Sequence, residues 1–418
     1  MAPVQLAKTL EEAYRFCDPL RPLQGEWLDA FYVERSPDSR IDLLVDELQI
    51  DPSEEDKTLF SGQRGTGKTT ELHRLSSKLQ DDHAIIFLDV EERLNLGDVH
   101  YTDLLVCLGL AVYEEARKQG MPADDQQARD LLFWYEERIL ERDEAAKLRS
   151  EVSTEIHLGV VRFGARLSQD SPFRKQVRAK TEAGLSDLLS RLNELLLGLR
   201  RRFGRRILVI VDGVDKVYDL RQAINLFLHG ANALIAPACR VIYTVPFPVF
   251  YSPDFQQVRH QFHRNFLLPN VKTRQRDGSP YPPGRQMLEQ VLLRRVQADL
   301  IAPPALEALV EASGGLLREL MRLSRHSVSA ARRRGDTRVG LEDVAWARRE
   351  VRNTYRRILK VEDYRHLWKV YETKRIDALS PQVADQLLHN LSVLEYNGET
   401  WWDVHPAVQD LLEEAEEV

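Results

Sequence analysis

At 418 residues, with 43% hydrophobic and 8% aromatic content, the chain is too long for one ordinary core and too apolar for a disordered one, so two or three globular domains are expected. Its 58 Lys and Arg against 65 Asp and Glu leave a net charge of -7, which excludes attraction to nucleic acid by overall charge and leaves only a local basic patch for that role. Cys17, Cys107 and Cys239 are odd in number and have no metal-ligand spacing, which reads as buried small hydrophobes in a reducing compartment. No basic start with an apolar block opens the chain, and no apolar run nears the roughly 20 residues that span a bilayer, so a cytoplasmic protein with no membrane partner is expected.

Residues 1–40 carry Pro19, Pro22 and Pro37 around Phe31-Tyr-Val33 and read as a lead-in laid over the first domain. Leu43 to Leu48 predicts a short helix and Thr58-Leu-Phe60 a strand, with a helix from Gly67 through Leu79 and a second strand over Ala84 to Val90. A long helical stretch from about Val99 to Ser150 follows, then a helix over Glu182 to Phe203. The apolar runs Ile207–Val211, Arg240–Val245 and Asn265–Pro269 complete the strand candidates. Continuous apolar strands alternating with helices predict a parallel sheet with helices on both faces, the α/β class. The polar, proline-rich Thr273–Gly284 closes this domain at about residue 272, giving a core over 41–272 with an insertion at about 99–180. Residues 285–355 read as helical and 356–418 as a further small unit.

The stretch SGQRGTGKTT, residues 61–70, carries the chemistry. Gly62, Gly65 and Gly67 let the backbone turn its N–H groups inward, which makes an anion-binding nest at the mouth of a helix. Lys68 then reaches outer phosphates, the Thr69 hydroxyl takes Mg²⁺, and the helix N-terminus adds its partial positive charge. Gly62, Gln63, Arg64, Gly65, Thr66, Gly67, Lys68, Thr69 and Thr70 are the expected binding loop. A metal-holding acid is expected at the end of a neighbouring strand, and Asp212, after Ile207–Val211, fills that place. Asp215 is read in two ways, as the group that polarises the attacking water or as a helix N-cap, because Gly213 follows the metal acid directly.

The loop, the strand ending Asp212-Gly-Val-Asp215 and the order of elements resemble the AAA+ and STAND group of P-loop ATPases, which implies ATP and Mg²⁺ as cofactors. That resemblance places a polar sensor at the tip of the next strand, where Thr244 stands. Ser313-Gly-Gly-Leu-Leu-Arg318 resembles the opening of an AAA+ helical lid, which implies that Arg318 reaches the phosphates with its guanidinium. An arginine before the fifth strand, Arg264 or Arg259, would act on a neighbouring subunit's nucleotide, which implies a homo-oligomer. The segment from Pro381 through Val393–Gly398 to Trp401–Pro406 resembles a winged helix, in which the STAND group uses a histidine on the phosphate; His405 matches.

The expected function is an ATP-binding, slowly hydrolysing switch that controls a separately encoded effector or client, as in bacterial antiphage defence. The alternative is a DNA-engaging ATPase like replication initiators or transposition regulators, and a third reading is nucleotide binding without hydrolysis. For DNA the candidates are the winged helix and an expected hairpin over Val152 to Leu167, turning at Gly159, with Arg162 and Arg166 on one face and Arg174, Lys175, Arg178 and Lys180 following. The helix around Pro381 to Leu391 carries no Lys or Arg, which favours the switch.

Overall fold

The computed structural model describes residues 5–35, 39–120, 126–127, 130–131, 134, 167, 169–396 and 400–416. The chain divides into two compact units, one of Glu47–Ser61 and Lys78–Phe266, the other of Met1–Asp46, Gly62–Ser77 and Leu267–Val418. In chain order the helices and strands are α1 (Leu10–Phe16), α2 (Glu26–Phe31), α3 (Ile41–Ile50), β1 (Lys57–Ser61), α4 (Lys68–Leu79), β2 (His83–Asp89), α5 (Tyr101–Lys118), α6 (Ser171–Ala183), α7 (Leu185–Phe203) and β3 (Arg206–Asp212). They continue with α8 (Leu220–Leu228), α9 (Ala231–Ile235), β4 (Arg240–Thr244), α10 (Phe255–Gln261), β5 (Arg264–Leu267), α11 (Pro282–Leu293), α12 (Pro303–Ala312), α13 (Leu317–Arg334) and α14 (Leu341–Ile358), and close with α15 (Val361–Thr373), α16 (Pro381–His389), β6 (Val393–Tyr396), β7 (Trp401–Val404) and α17 (Pro406–Glu416).

The first unit is built on a sheet of order β2-β3-β4-β1-β5. The pairings β1 with β4, β2 with β3 and β3 with β4 are parallel, as the uninterrupted apolar runs predict. All residues of Ile207–Val211 and of β4 are buried, because helices cover a sheet whose strands offer no polar face. One core runs from Ile86 and Leu88 through Leu188, Leu192, Leu195 and Leu199 of α7 to Val209 and Tyr243. The helix expected over Glu182 to Phe203 is α7, which starts three residues later, after α6 ends at Ala183; Gly184 stands between the two, where a Cβ would come 3.1 Å from the Trp134 ring. The expected hairpin turning at Gly159, with Arg162 and Arg166, lies outside the described residues. All three cysteines are free and buried. Burial pushes the Cys17 thiol up to about 11 and that of Cys239 up to about 12, so they behave as small hydrophobes.

At the amino edge of this sheet the polar groups are internal. Arg240 is fully buried and donates to the Ser53, Leu48 and Asp51 carbonyls and to His83 Nε2. Burial, then Arg240 and Arg206, hold the His83 imidazole down at about 4.

In the second unit, α13 and α14 pack as a long pair, with α1 against α13 and α17 against α14. β6 and β7 pair antiparallel with Val393 opposite Val404 and Tyr396 opposite Trp401, and the expected Asn397-Gly398 turn lies outside the described residues. The helix, two strands and final helix match the elements expected there. Among the described residues, no helix is long and apolar enough to cross a membrane.

Candidate functional site

The loop Gly62–Thr70 has the geometry its glycines predict. Gly65 and Gly67 hold φ of 94° and 97°, a left-handed backbone that a side chain would strain. A Cβ at Gly62 would meet the Leu268 carbonyl at 2.7 Å, at Gly65 the Arg318 Cβ at 2.9 Å, and at Gly67 the Leu317 Cδ1 at 2.9 Å. Lys68, the first residue of α4, curls its Nζ onto the Gly62 and Gln63 carbonyls at 2.7 and 3.1 Å. The buried Thr66 Oγ1 has no hydrogen-bond partner. A cradle of left-handed glycines, an unanswered hydroxyl inside it and an ammonium resting on the loop's own carbonyls fit a phosphate group. Arg64 is exposed, and the Thr70 Oγ1 accepts the Leu23 N–H at 3.1 Å.

The lead-in does more than lie over a domain. Arg35, 7% exposed, donates from Nε to Glu71 Oε1 at 2.8 Å, from Nη1 to the Pro269 carbonyl at 3.1 Å, and from Nη2 to the Thr66 carbonyl in the loop itself. Glu71, in the first turn of α4, also accepts the Tyr32 hydroxyl at 3.1 Å. Sequence reasoning missed Arg35, Tyr32 and Glu71, because a lone arginine far from its partner has no spacing signature.

Arg318 meets its expectation of place. It stands in the first turn of α13, and its backbone N–H donates to the Gly65 carbonyl at 3.0 Å, which fastens α13 to the loop. The preceding glycines are forced: Gly314 and Gly315 have φ of 57° and 82°, and a Cβ at Gly315 would come 1.7 Å from the Val271 carbonyl oxygen.

In the sheet unit, Asp212 ends β3 and is buried, directly opposite Asp89 at the end of β2. Gly213 has φ 92°, and a Cβ there would meet the Asp89 Oδ1 at 3.2 Å. Asp89 is therefore a second carboxylate beside the expected metal acid; its position at the end of Ala84–Val90 was the signal that could have found it.

Five expectations change on the structure, four of them in the sheet unit. Thr244 sits at the tip of β4, but its Oγ1 accepts the Val214 and Asp215 N–H groups at 3.1 and 3.4 Å and donates to the Val211 carbonyl at 3.3 Å, so the hydroxyl holds the turn after Asp212. Asp215 lies within the short turn Val214–Lys216 and is no helix N-cap; Asp219 caps α8 through the Gln222 N–H at 3.0 Å. Arg264 opens β5 but is held in its own unit by Asp51, Asp56 and Glu47, which occupy the guanidinium expected to act in trans, while Arg259 on α10 is exposed. Arg174 and Arg178 of α6 are likewise engaged, with Asp98 and Asp103, which removes them from the expected basic DNA surface.

His405 is fully buried against Tyr355, ring centroids 4.9 Å apart, and its Nδ1 accepts the Ala407 N–H at 3.1 Å as the cap of α17. Burial, then Arg322 and Arg348, hold it down at about 3. Packing and capping account for this histidine, in place of the phosphate contact expected of it. Both His405 and His83 are neutral in the folded chain, whereas unfolded they take a proton near pH 6.5. The unfolded state therefore binds more protons below that pH, and stability falls as pH drops from about 6.5 toward 4, by on the order of 3 kcal/mol per histidine. Thermal melts of wild type and His405→Asn, which keeps the capping acceptor, are expected to converge on acidification; parallel curves from pH 7.5 to 4.5 would refute the assignment.

No family model matches the chain, and no curated protein matches it. Among solved structures the chain is similar to the Walker-type ATPase paby2304 of Pyrococcus abyssi, at 17% identity and TM-score 0.46 over 95% of this chain and 99% of that one. It is also similar to the ORC1 protein of Aeropyrum pernix in complex with DNA, at 14% identity and TM-score 0.42 over 94% and 96%. The RuvB Holliday junction branch migration motor of Thermotoga maritima matches at 14% identity and TM-score 0.40 over 95% and 99%. These are likenesses of fold alone; the parallel sheet, with the glycine loop that leaves β1, makes this chain an α/β fold with a P-loop.

Proposed function

We propose that the protein is a switch ATPase of the AAA+ kind that binds Mg-ATP and engages DNA. The observation that carries the nucleotide reading is the loop itself, with glycines forced by φ, Lys68 resting on loop carbonyls and Arg318 fastened to Gly65. When bound, the nucleotide and metal would supply an activated phosphoanhydride and a Lewis acid. Lys68 and Arg318 would bind phosphate oxygens, Thr69 and Asp212 would hold the cation, and Asp215 would orient water, with slow hydrolysis. The four-part division into 1–40, 41–272, 285–355 and 356–418, with the last as a winged helix, belongs to this proposal.

For the partner, the lid supports DNA over a client protein. Between Leu317 and Ile358 the chain carries twelve arginines against five acidic residues, although its net charge is -7. Arg333, Arg338, Arg349 and Arg357 there are exposed, whereas Arg332 pairs with Glu11, and these four are the local positive charge that binding would need. Because α16 carries no Lys or Arg, this reading makes the lid, and not that helix, the DNA-facing element. Nothing in the comparisons supports the antiphage reading.

The test is particle mass in solution with ADP and with a nonhydrolysable ATP analogue, followed by duplex DNA at about 50 and 200 mM salt. The expected result is a mass increase with the analogue and DNA binding that weakens steeply with salt. A constant mass would remove the oligomeric switch, and salt-independent or absent DNA binding would return the client-protein reading.

A further inference from the structure

Gln63, the second residue of the loop, turns its side chain away from the phosphate cradle and is 2% exposed. Its Nε2 donates to the Val393 carbonyl at 2.8 Å, and its Oε1 accepts the Glu395 N–H at 2.8 Å. Val393 and Glu395 are alternate residues of β6, so the amide takes the place that a neighbouring strand's peptide would fill. Asn270, 3% exposed, closes the junction: its Nδ2 donates to Gln63 Oε1 and to the Glu395 carbonyl at 3.0 Å. On its main-chain side, Gln63 shares the Lys68 ammonium through its carbonyl at 3.1 Å. All of these residues belong to the same compact unit.

We propose that Gln63 and Asn270 are positioning residues that join the phosphate-binding loop to the C-terminal ribbon, so that engagement of Lys68 by phosphate and the stability of β6 form one linked equilibrium. The inference rests on the nucleotide-binding reading above. A phosphate competes with the Gly62 and Gln63 carbonyls for the Lys68 ammonium, which frees the Gln63 peptide. The other end of that residue is fastened to β6 by a donor and an acceptor at once, so the peptide cannot shift without straining a strand edge. Linkage makes the effect reciprocal: whatever loosens β6 changes nucleotide affinity by the same factor.

The experiment is hydrogen exchange on the full chain at Val393–Tyr396 with and without Mg-ADP, together with calorimetric Mg-ADP binding. The variants are Gln63→Met, which keeps length and apolar volume but removes donor and acceptor, and Asn270→Leu. In wild type, Mg-ADP is expected to change exchange at the Glu395 amide by about ten-fold, the ratio that one net buried hydrogen bond supports. In Gln63→Met the ribbon is expected to exchange faster and to stop responding to Mg-ADP, with Asn270→Leu intermediate. A merely structural role would speed exchange while leaving the Mg-ADP response intact, and that result overturns the inference. Wild-type binding without any response in β6 overturns it too and leaves the nucleotide reading standing. Absence of wild-type Mg-ADP binding refutes the nucleotide reading and the linkage together. Should Gln63→Met fail to fold, the wild-type response and Asn270→Leu decide the matter.

Discussion

Arg35→Ala is expected to destabilise the unit containing the loop by about 3–5 kcal/mol, the cost of leaving one member of a buried ion pair alone. Arg35 and Glu71 side chains are each 2% exposed, with Nε and Oε1 2.8 Å apart. Removing the guanidinium leaves the carboxylate with the Tyr32 hydroxyl at 3.1 Å and Arg74 at 3.9 Å, and it strips a donor from the Thr66 and Pro269 carbonyls. Arg35→Lys is expected to fall close to the alanine variant, since a single ammonium cannot reach three acceptors in a fixed fork. Adding Glu71→Gln to Arg35→Ala removes the stranded charge and should recover part of the loss, a coupling that a double-mutant cycle reads directly. Denaturant melts of the four proteins check this. A loss below 1 kcal/mol for Arg35→Ala, or no recovery in the double variant, would show that the lead-in is a passive cover.

For Lys68→Ala the expected outcome is a fall of roughly 10- to 150-fold in Mg-ATP affinity, from losing a charge-assisted hydrogen bond of about 1.5–3 kcal/mol. Its effect on folding should be smaller. Without ligand the Nζ serves the Gly62 and Gln63 carbonyls, and water can replace it there at modest cost. Titration calorimetry with the nonhydrolysable analogue, paired with a thermal melt, separates the two effects. Affinity within three-fold of wild type would remove the loop from the nucleotide site altogether. An equal collapse of affinity and melting temperature would assign Lys68 to the fold.

Local pattern carried far in this chain. Five apolar runs bounded by polar turns became β1 to β5 with small shifts of boundary, because a strand covered on its faces must be apolar throughout. Gly62, Gly65 and Gly67 announced the tight turn of the loop and the pair Gly314-Gly315 the start of α13, while Lys68 opens α4 and Asp212 ends β3. The helix expected over Glu182–Phe203 formed with its start shifted to Leu185, because leucine spacing fixes the apolar face and not the first residue.

What the amino-acid sequence determined by itself was therefore backbone: which segments are strands, where the loop turns, and which residues stand at its mouth. Only the tertiary structure decided what the polar side chains do. The Thr244 hydroxyl holds the turn after Asp212, Arg264 is spent on Asp51 and Asp56, His405 caps α17, and Gln63 pairs with a strand more than three hundred residues away. The physical reason is range. Secondary structure follows from neighbours a few residues apart, whereas a buried polar group must find whichever donor or acceptor the fold brings to it, and that partner leaves no periodic trace.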